Sequence, residues 1–166
     1  MKKIFAIAFI ALFVSAVVWL IIEGSRPEVL PVGSKLPAIE YAGFNGVQKL
    51  KADSTHKTVV IFFSEECPHC KYELNLLNVN AEKFKGVNIF LITLDKGLLT
   101  DGFTDKYPVL KKADNIKFGV VKKEDYKNKF GTMVTPALYF FNAKGMLTVK
   151  IKGETKMEMI LNKIKN

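Results

Sequence analysis

"VVIFFSEECPHCKYELNLL", residues 59–77, decides how the rest of the chain is read. It opens on an unbroken β-branched and aromatic run and closes on leucines at helical spacing. Cys67 and Cys70 stand where one pattern gives way to the other. The run at 58–63, "TVVIFF", lacks polar alternation, the pattern of a strand buried on both faces. From Pro68 onward, Cys70, Leu74, Leu77, Ala81 and Phe84 recur at spacings of four, three, four and three, one apolar stripe on a helix. Gly86 ends that helix, and "VNIFLITL" at 87–94 is a second buried strand. Strand, helix and strand within about 40 residues predict a parallel, right-handed βαβ unit.

The two cysteines, the chain's complete set, sit at the start of that helix. Pro68 has the φ suited to the first helical position and lacks only an N–H that would have no helical partner. Cys67 therefore falls at the N-cap, where free N–H groups and the helix dipole favour a thiolate. Cys70 begins the apolar stripe, so its side chain is expected to turn inward beneath Cys67. One exposed thiol of low pKa beside one shielded thiol is the asymmetry that thiol–disulfide exchange needs. Cys67 attacks a partner's disulfide, and Cys70 resolves the mixed disulfide. His69 adds a donor and, when protonated, a positive charge, both of which favour the Cys67 thiolate. Glu65 and Glu66 oppose it, although solvent screens exposed carboxylates. Glu73 lies three residues after Cys70 on the same side of the helix. It is either an exposed helix glutamate or a base that takes the Cys70 proton.

The N-terminus gives these thiols a setting. Lys2 and Lys3 precede an uncharged apolar run over 4–22, whose 19 residues span about 28 Å as a helix. A cleaved signal peptide has a shorter apolar region, so an uncleaved anchor is expected over 1–23. The two lysines favour a cytoplasmic N-terminus, which places the rest of the chain outside the cytoplasm, with Trp19 near the outer end of the span. Residues 24–34, rich in proline, read as a stalk, and 35–166 as the folded domain. Outside the cytoplasm a disulfide persists, yet one closing so short a loop removes little chain entropy and is a poor staple. The formal charge of +9 is carried by lysines, Arg26 being the single arginine. Scattered lysines form a solvated surface rather than a nucleic-acid stripe.

The remaining elements fill out a mixed sheet. "AIEYAGFNGVQKL" carries an Asn45-Gly46 turn signal between two short extended runs, a hairpin. "TDKYPVLKKA" reads as a helix broken at Pro108, "IKFGVV" as a strand and "KEDYKNKF" as a short polar helix. "ALYFF" and "MLTVKIKG" flank "NAKG" as an antiparallel hairpin, and "TKMEMILNKIKN" is an amphipathic helix. The fold class is α/β, with helices on both faces of the sheet.

"FFSEECPHCKYELNLL", followed 65 residues after Cys70 by "TPALYFF", resembles the thioredoxin-like superfamily, and within it the membrane-anchored TlpA/ResA-like branch. The opening "VGSKLPAIEYAGFNGVQKL" is similar to that branch's N-terminal hairpin. The resemblance implies that Pro136 is cis, that its loop faces the cysteines, and that Thr135 offers backbone groups to a substrate chain. It also matches Glu73 to a glutamate that relays a proton. Glu66 stands where the superfamily usually has tryptophan, and Ile61 where thioredoxin has a buried acid. The C-P-H-C tetrad resembles the oxidase DsbA, but the interval from Lys71 to Thr135 is too short for that protein's inserted helical domain.

Other chemistries lack a part. Zinc needs four ligands, and His56 and His69 are the only histidines. Haem attachment needs a histidine where Lys71 stands; a Sco-type copper site needs wider cysteine spacing and a downstream histidine. A peroxiredoxin needs a nearby arginine. The expectation is an extracytoplasmic, membrane-anchored thiol–disulfide oxidoreductase, a monomer without metal or bound cofactor. Its partners are protein thiols and disulfides and a membrane electron donor or acceptor, and it reduces disulfides. The alternatives are a DsbA-like oxidase or isomerase, and a redox-silent or copper-binding anchored module.

Overall fold

The computed structural model describes residues 2–24, 28–99, 102–131 and 133–165. The first helix, α1 (Lys2–Gly24), precedes the domain. Its side chains are described at residues 5 and 8–20, where Phe5, Phe9, Leu12, Phe13 and Trp19 are exposed. Among the described residues no helix is long and apolar enough to cross a membrane. The side chains of Lys2, Lys3, Ile4 and Ile22, and all of Arg26, lie outside that set.

Seven strands form one mixed sheet: β1 (Ile39–Gly43), β2 (Gly46–Leu50), β3 (Lys57–Phe62), β4 (Val87–Thr93), β5 (Ile116–Val120), β6 (Ala137–Phe141) and β7 (Leu147–Lys152). Their order is β2-β1-β5-β4-β3-β6-β7. β3, β4 and β5 run parallel, β6 pairs antiparallel with β3, and β7 antiparallel with β6. The helices α2 (Pro68–Val79), α3 (Pro108–Lys112), α4 (Lys123–Phe130) and α5 (Met157–Lys165) complete the domain.

Alternation along the central strands divides the core in two. Val59, Ile61, Ile89 and Leu91 face Cys70, Leu74 and Leu77 of α2 together with Ile160 of α5. Val60, Phe62, Phe90 and Ile92 face Tyr126 and Phe130 of α4 and Ile39 and Tyr41 of the hairpin. Both faces of β3 are thus buried, which is why its sequence does not alternate.

Three local details depart from the sequence expectation. The stripe from Cys70 to Phe84 is buried at Leu74, Leu77, Ala81 and Phe84, but α2 ends at Val79 and a 3₁₀ turn, Ala81–Phe84, carries the last two. The helical stretch is broken at Pro108 as expected, but the part before it is a 3₁₀ turn, Phe103–Lys106, and Pro108 itself starts α3, whose first N–H groups are capped by the Asn78 side chain on α2. The second half of the stalk is docked. Leu30 is buried, Gly33 N–H donates to Leu147 O at 2.8 Å, and Leu147 N–H donates to Ser34 O at 2.8 Å. Lys150 Nζ donates to Leu30 O at 2.8 Å and pairs with Glu28. The β7 side is a free sheet edge with backbone groups to satisfy, and this segment covers it.

Candidate active site

β3 runs out at Phe62, and Phe63 N–H still donates to Ile92 O at 2.9 Å, so the chain leaves the sheet in a fixed direction. Cys67 follows as the N-cap of α2, in extended backbone (φ −72°, ψ 119°), with Pro68 opening the helix. Lys71 N–H donates to Cys67 O at 3.1 Å, the first helical bond. No side chain, that of Cys67 included, makes a cap hydrogen bond at this end, so the positive end of the helix is open beside Cys67.

The two thiols are separated by depth. Cys67 is half-buried and Cys70 is 1% exposed, both in the reduced form. Ser64 N–H points at Cys70 Sγ at 3.5 Å. Burial pushes the Cys70 thiol up to about 12; the Ser64 N–H pulls it down, while the neighbouring Cys67 adds to the rise. Across the cleft the Thr135–Pro136 peptide bond is cis, and Cys67 Sγ lies 3.9 Å from Thr135 O. The structure therefore brings Cys67, Cys70, Thr135 and Pro136 together, as the resemblance implied. A cleft of about 380 Å³ beside them is lined by Ser64, Glu66, Asp95, Met133 and Thr135. A larger hollow of about 710 Å³ lies between residues 81–86 and 108–115 and contains neither cysteine nor histidine.

Glu73 is not the exposed helix glutamate; it is 1% exposed, and its carboxylate oxygens are buried without a well-formed hydrogen bond. Burial pushes its carboxyl up to about 7, with the Thr155 backbone pulling weakly the other way and the Glu154 charge adding to the rise. The groups that act on it thus come from the turn between β7 and α5. His69 lies near the same turn: its Nδ1 is 2.6 Å from Glu154 Oε2. That partner was invisible in the sequence, because it stands 85 positions away in an unremarkable "KGET". Tyr107 was also missed. It is buried, and its phenol is raised by burial and by the charges of Cys70 and Glu65. Tyr126 completes the support: its hydroxyl donates to Val134 O at 2.8 Å, tying α4 to the segment before Thr135.

The model of the thioredoxin-like domain family matches residues 45–166. The chain belongs to the thioredoxin-like family. Solved thioredoxin-like structures share the fold at low identity. A peroxiredoxin-like protein from Aquifex aeolicus is 17% identical over 84% of this chain and 88% of its own, with a TM-score of 0.69. The thioredoxin domain of a thiol-disulfide oxidoreductase from Bacteroides vulgatus is 20% identical over 82% and 96%, at a TM-score of 0.63. A secreted Mycobacterium tuberculosis disulfide oxidoreductase homologous to Escherichia coli DsbE is 15% identical over 76% and 93%, at 0.61. No curated protein matches the chain. Family and site together make it a thiol–disulfide oxidoreductase of the thioredoxin-like type. Among the described residues no group of three or more His, Cys, Asp or Glu side chains is arranged to hold a metal ion.

Proposed function

We propose that this thioredoxin-like chain reduces protein disulfides outside the cytoplasm, held at the membrane by α1. The observation that carries the exchange chemistry is the half-buried Cys67 at a helix N-cap, facing the Thr135 carbonyl, above a buried Cys70. Cys67 thiolate attacks one sulfur of a partner disulfide, forming a mixed disulfide and releasing one partner thiolate. Cys70, once deprotonated, attacks the Cys67 sulfur and releases the second. Two electrons pass to the partner, and the Cys67–Cys70 disulfide remains for a membrane donor protein to reduce. Glu73 takes the Cys70 proton, directly or through one water, because a carboxyl held near 7 exchanges protons at neutral pH.

Direction is argued from what separates the motif from the cis-proline. Between Cys70 and Thr135 the described chain holds the rest of α2, β4, short 3₁₀ turns, the five-residue α3, β5 and α4, all parts of the basic sheet and its cover. That fits the TlpA/ResA-like branch rather than an oxidase with an inserted helical domain. The C-P-H-C tetrad favours the DsbA-like alternative. Anchoring is supported by the uncharged run over 4–22 and by the exposed apolar side chains along α1, and Lys2 and Lys3 favour a cytoplasmic N-terminus. Equilibration of the full-length chain in detergent against glutathione tests direction. The reductase reading expects a potential toward the thioredoxin value of about −270 mV, and one above about −180 mV overturns it.

A further inference from the structure

The C-P-H-C tetrad carries a histidine beside the nucleophilic cysteine, and the structure shows what that histidine holds. His69 Nδ1 and Glu154 Oε2 are 2.6 Å apart, with side chains 69% and 40% exposed. Glu154 is not placed there by chance contact of a mobile loop. It follows Gly153, whose N–H donates to Pro136 O at 2.8 Å, and β7 is in register with β6 up to Lys152 opposite Ala137. The turn that presents Glu154 is therefore bonded to the cis-proline loop that faces Cys67. On its inner side lies Glu73, buried and held up to about 7, so Glu154 is the exposed carboxylate of the pair and the one available to an imidazole.

We propose that Glu154 is a positioning residue that accepts the His69 Nδ1–H and so withholds that donor from the Cys67 thiolate. An imidazole N–H free to donate to Cys67 stabilises the thiolate, hence the dithiol, and makes the couple more oxidising. Held by the Glu154 carboxylate, the His69 Nδ1–H is not available to the sulfur. The oxidase-like tetrad is in this way set toward reduction by a residue outside the tetrad. This inference deepens the reductase reading and rests on it, but its test reads a difference between variants rather than an absolute potential.

The full-length chain in detergent, Glu154→Gln, His69→Asn and the double variant are each equilibrated with reduced and oxidised glutathione at pH 7. The reaction is dithiol plus oxidised glutathione giving disulfide plus two reduced glutathiones. Glu154→Gln is expected to shift the equilibrium about threefold to tenfold toward the dithiol, and to raise the rate at which iodoacetamide alkylates Cys67 at pH 6. In the His69→Asn background the same substitution is expected to shift it less than about 1.5-fold, the signature of action through His69. No shift in Glu154→Gln, a shift of the opposite sign, or an equal shift without His69 overturns the proposal. Should Glu154→Gln not fold, Glu154→Ser is read by the same criteria. A wild-type potential as oxidising as a disulfide oxidase's, with the shift intact, overturns the reductase reading and leaves this one standing.

Discussion

Cys70 and Glu73 sit one helical turn apart, and burial acts on both in the same sense: it disfavours the charged form. For Cys70 the outcome is selectivity. At pH 8 iodoacetamide is expected to label Cys67 and leave Cys70 unmodified in the folded reduced protein, as read by peptide mass mapping; equal labelling would refute the depth asymmetry. For Glu73 the outcome is a stability profile. Its carboxyl rises from the ordinary 4.5 to about 7 on folding, so the folded state holds a proton that the unfolded chain has released. Stability therefore falls as pH rises from about 4.5 to about 7 and this contribution is flat beyond, a loss of about 3 kcal/mol at most. Glu73→Gln is expected to match wild type at pH 5 and to exceed it in Tm at pH 8. It is also expected to slow resolution, so that the mixed disulfide on Cys67 accumulates in stopped-flow quench experiments. The cysteines and Pro68 were legible because their spacing and neighbours carry the signal, whereas Pro136 was legible only through the family resemblance. The burial of Glu73 was not, since position on a helix says nothing of what packs over it.

The elements that aim these residues are held by aromatic packing on the opposite face of the sheet. Phe62 stacks on Tyr126 with ring centroids 3.8 Å apart, and Tyr126 in turn bonds Val134 O. Tyr126→Phe keeps the stack and frees the carbonyl; it is expected to cost about 1 kcal/mol in denaturant unfolding and to lower the exchange rate more than that loss explains. Tyr41 of the hairpin lies over β5, where Gly119 leaves room for its ring. A Cβ at Gly119 would stand 2.9 Å from Tyr41 Cγ, so Gly119→Ala is expected to destabilise by about 1–3 kcal/mol. An unchanged Tm would show that the hairpin yields freely. Sequence periodicity gave the βαβ unit, both hairpins and α5, because each depends on local pattern. It overran α2 because Asn80 N–H bonds both Leu76 O and Leu77 O and the stripe continues through a 3₁₀ turn. It could not show what starts α3 at Pro108, because the cap comes from Asn78, 31 and 32 positions earlier.

As a whole, the molecule joins an apolar helix to a redox domain through a segment that is docked onto β7 from Leu30 onward. The full-length chain is expected to stay in the membrane fraction after carbonate extraction, with the domain digested by protease added from the extracytoplasmic side; release into the supernatant would contradict anchoring. The start of α2 explains why the cysteines sit at different depths, Cys67 at its N-cap and Cys70 on its buried stripe, and Glu154 shows where the His69 Nδ1–H goes. The most direct test of the exchange mechanism is a trap. The full-length chain carrying Cys70→Ser is incubated with a disulfide-containing protein, and adducts are located by mass spectrometry without reductant. One partner linked through Cys67 is expected, absent when Cys67→Ser replaces it; no adduct on Cys67 would contradict the account.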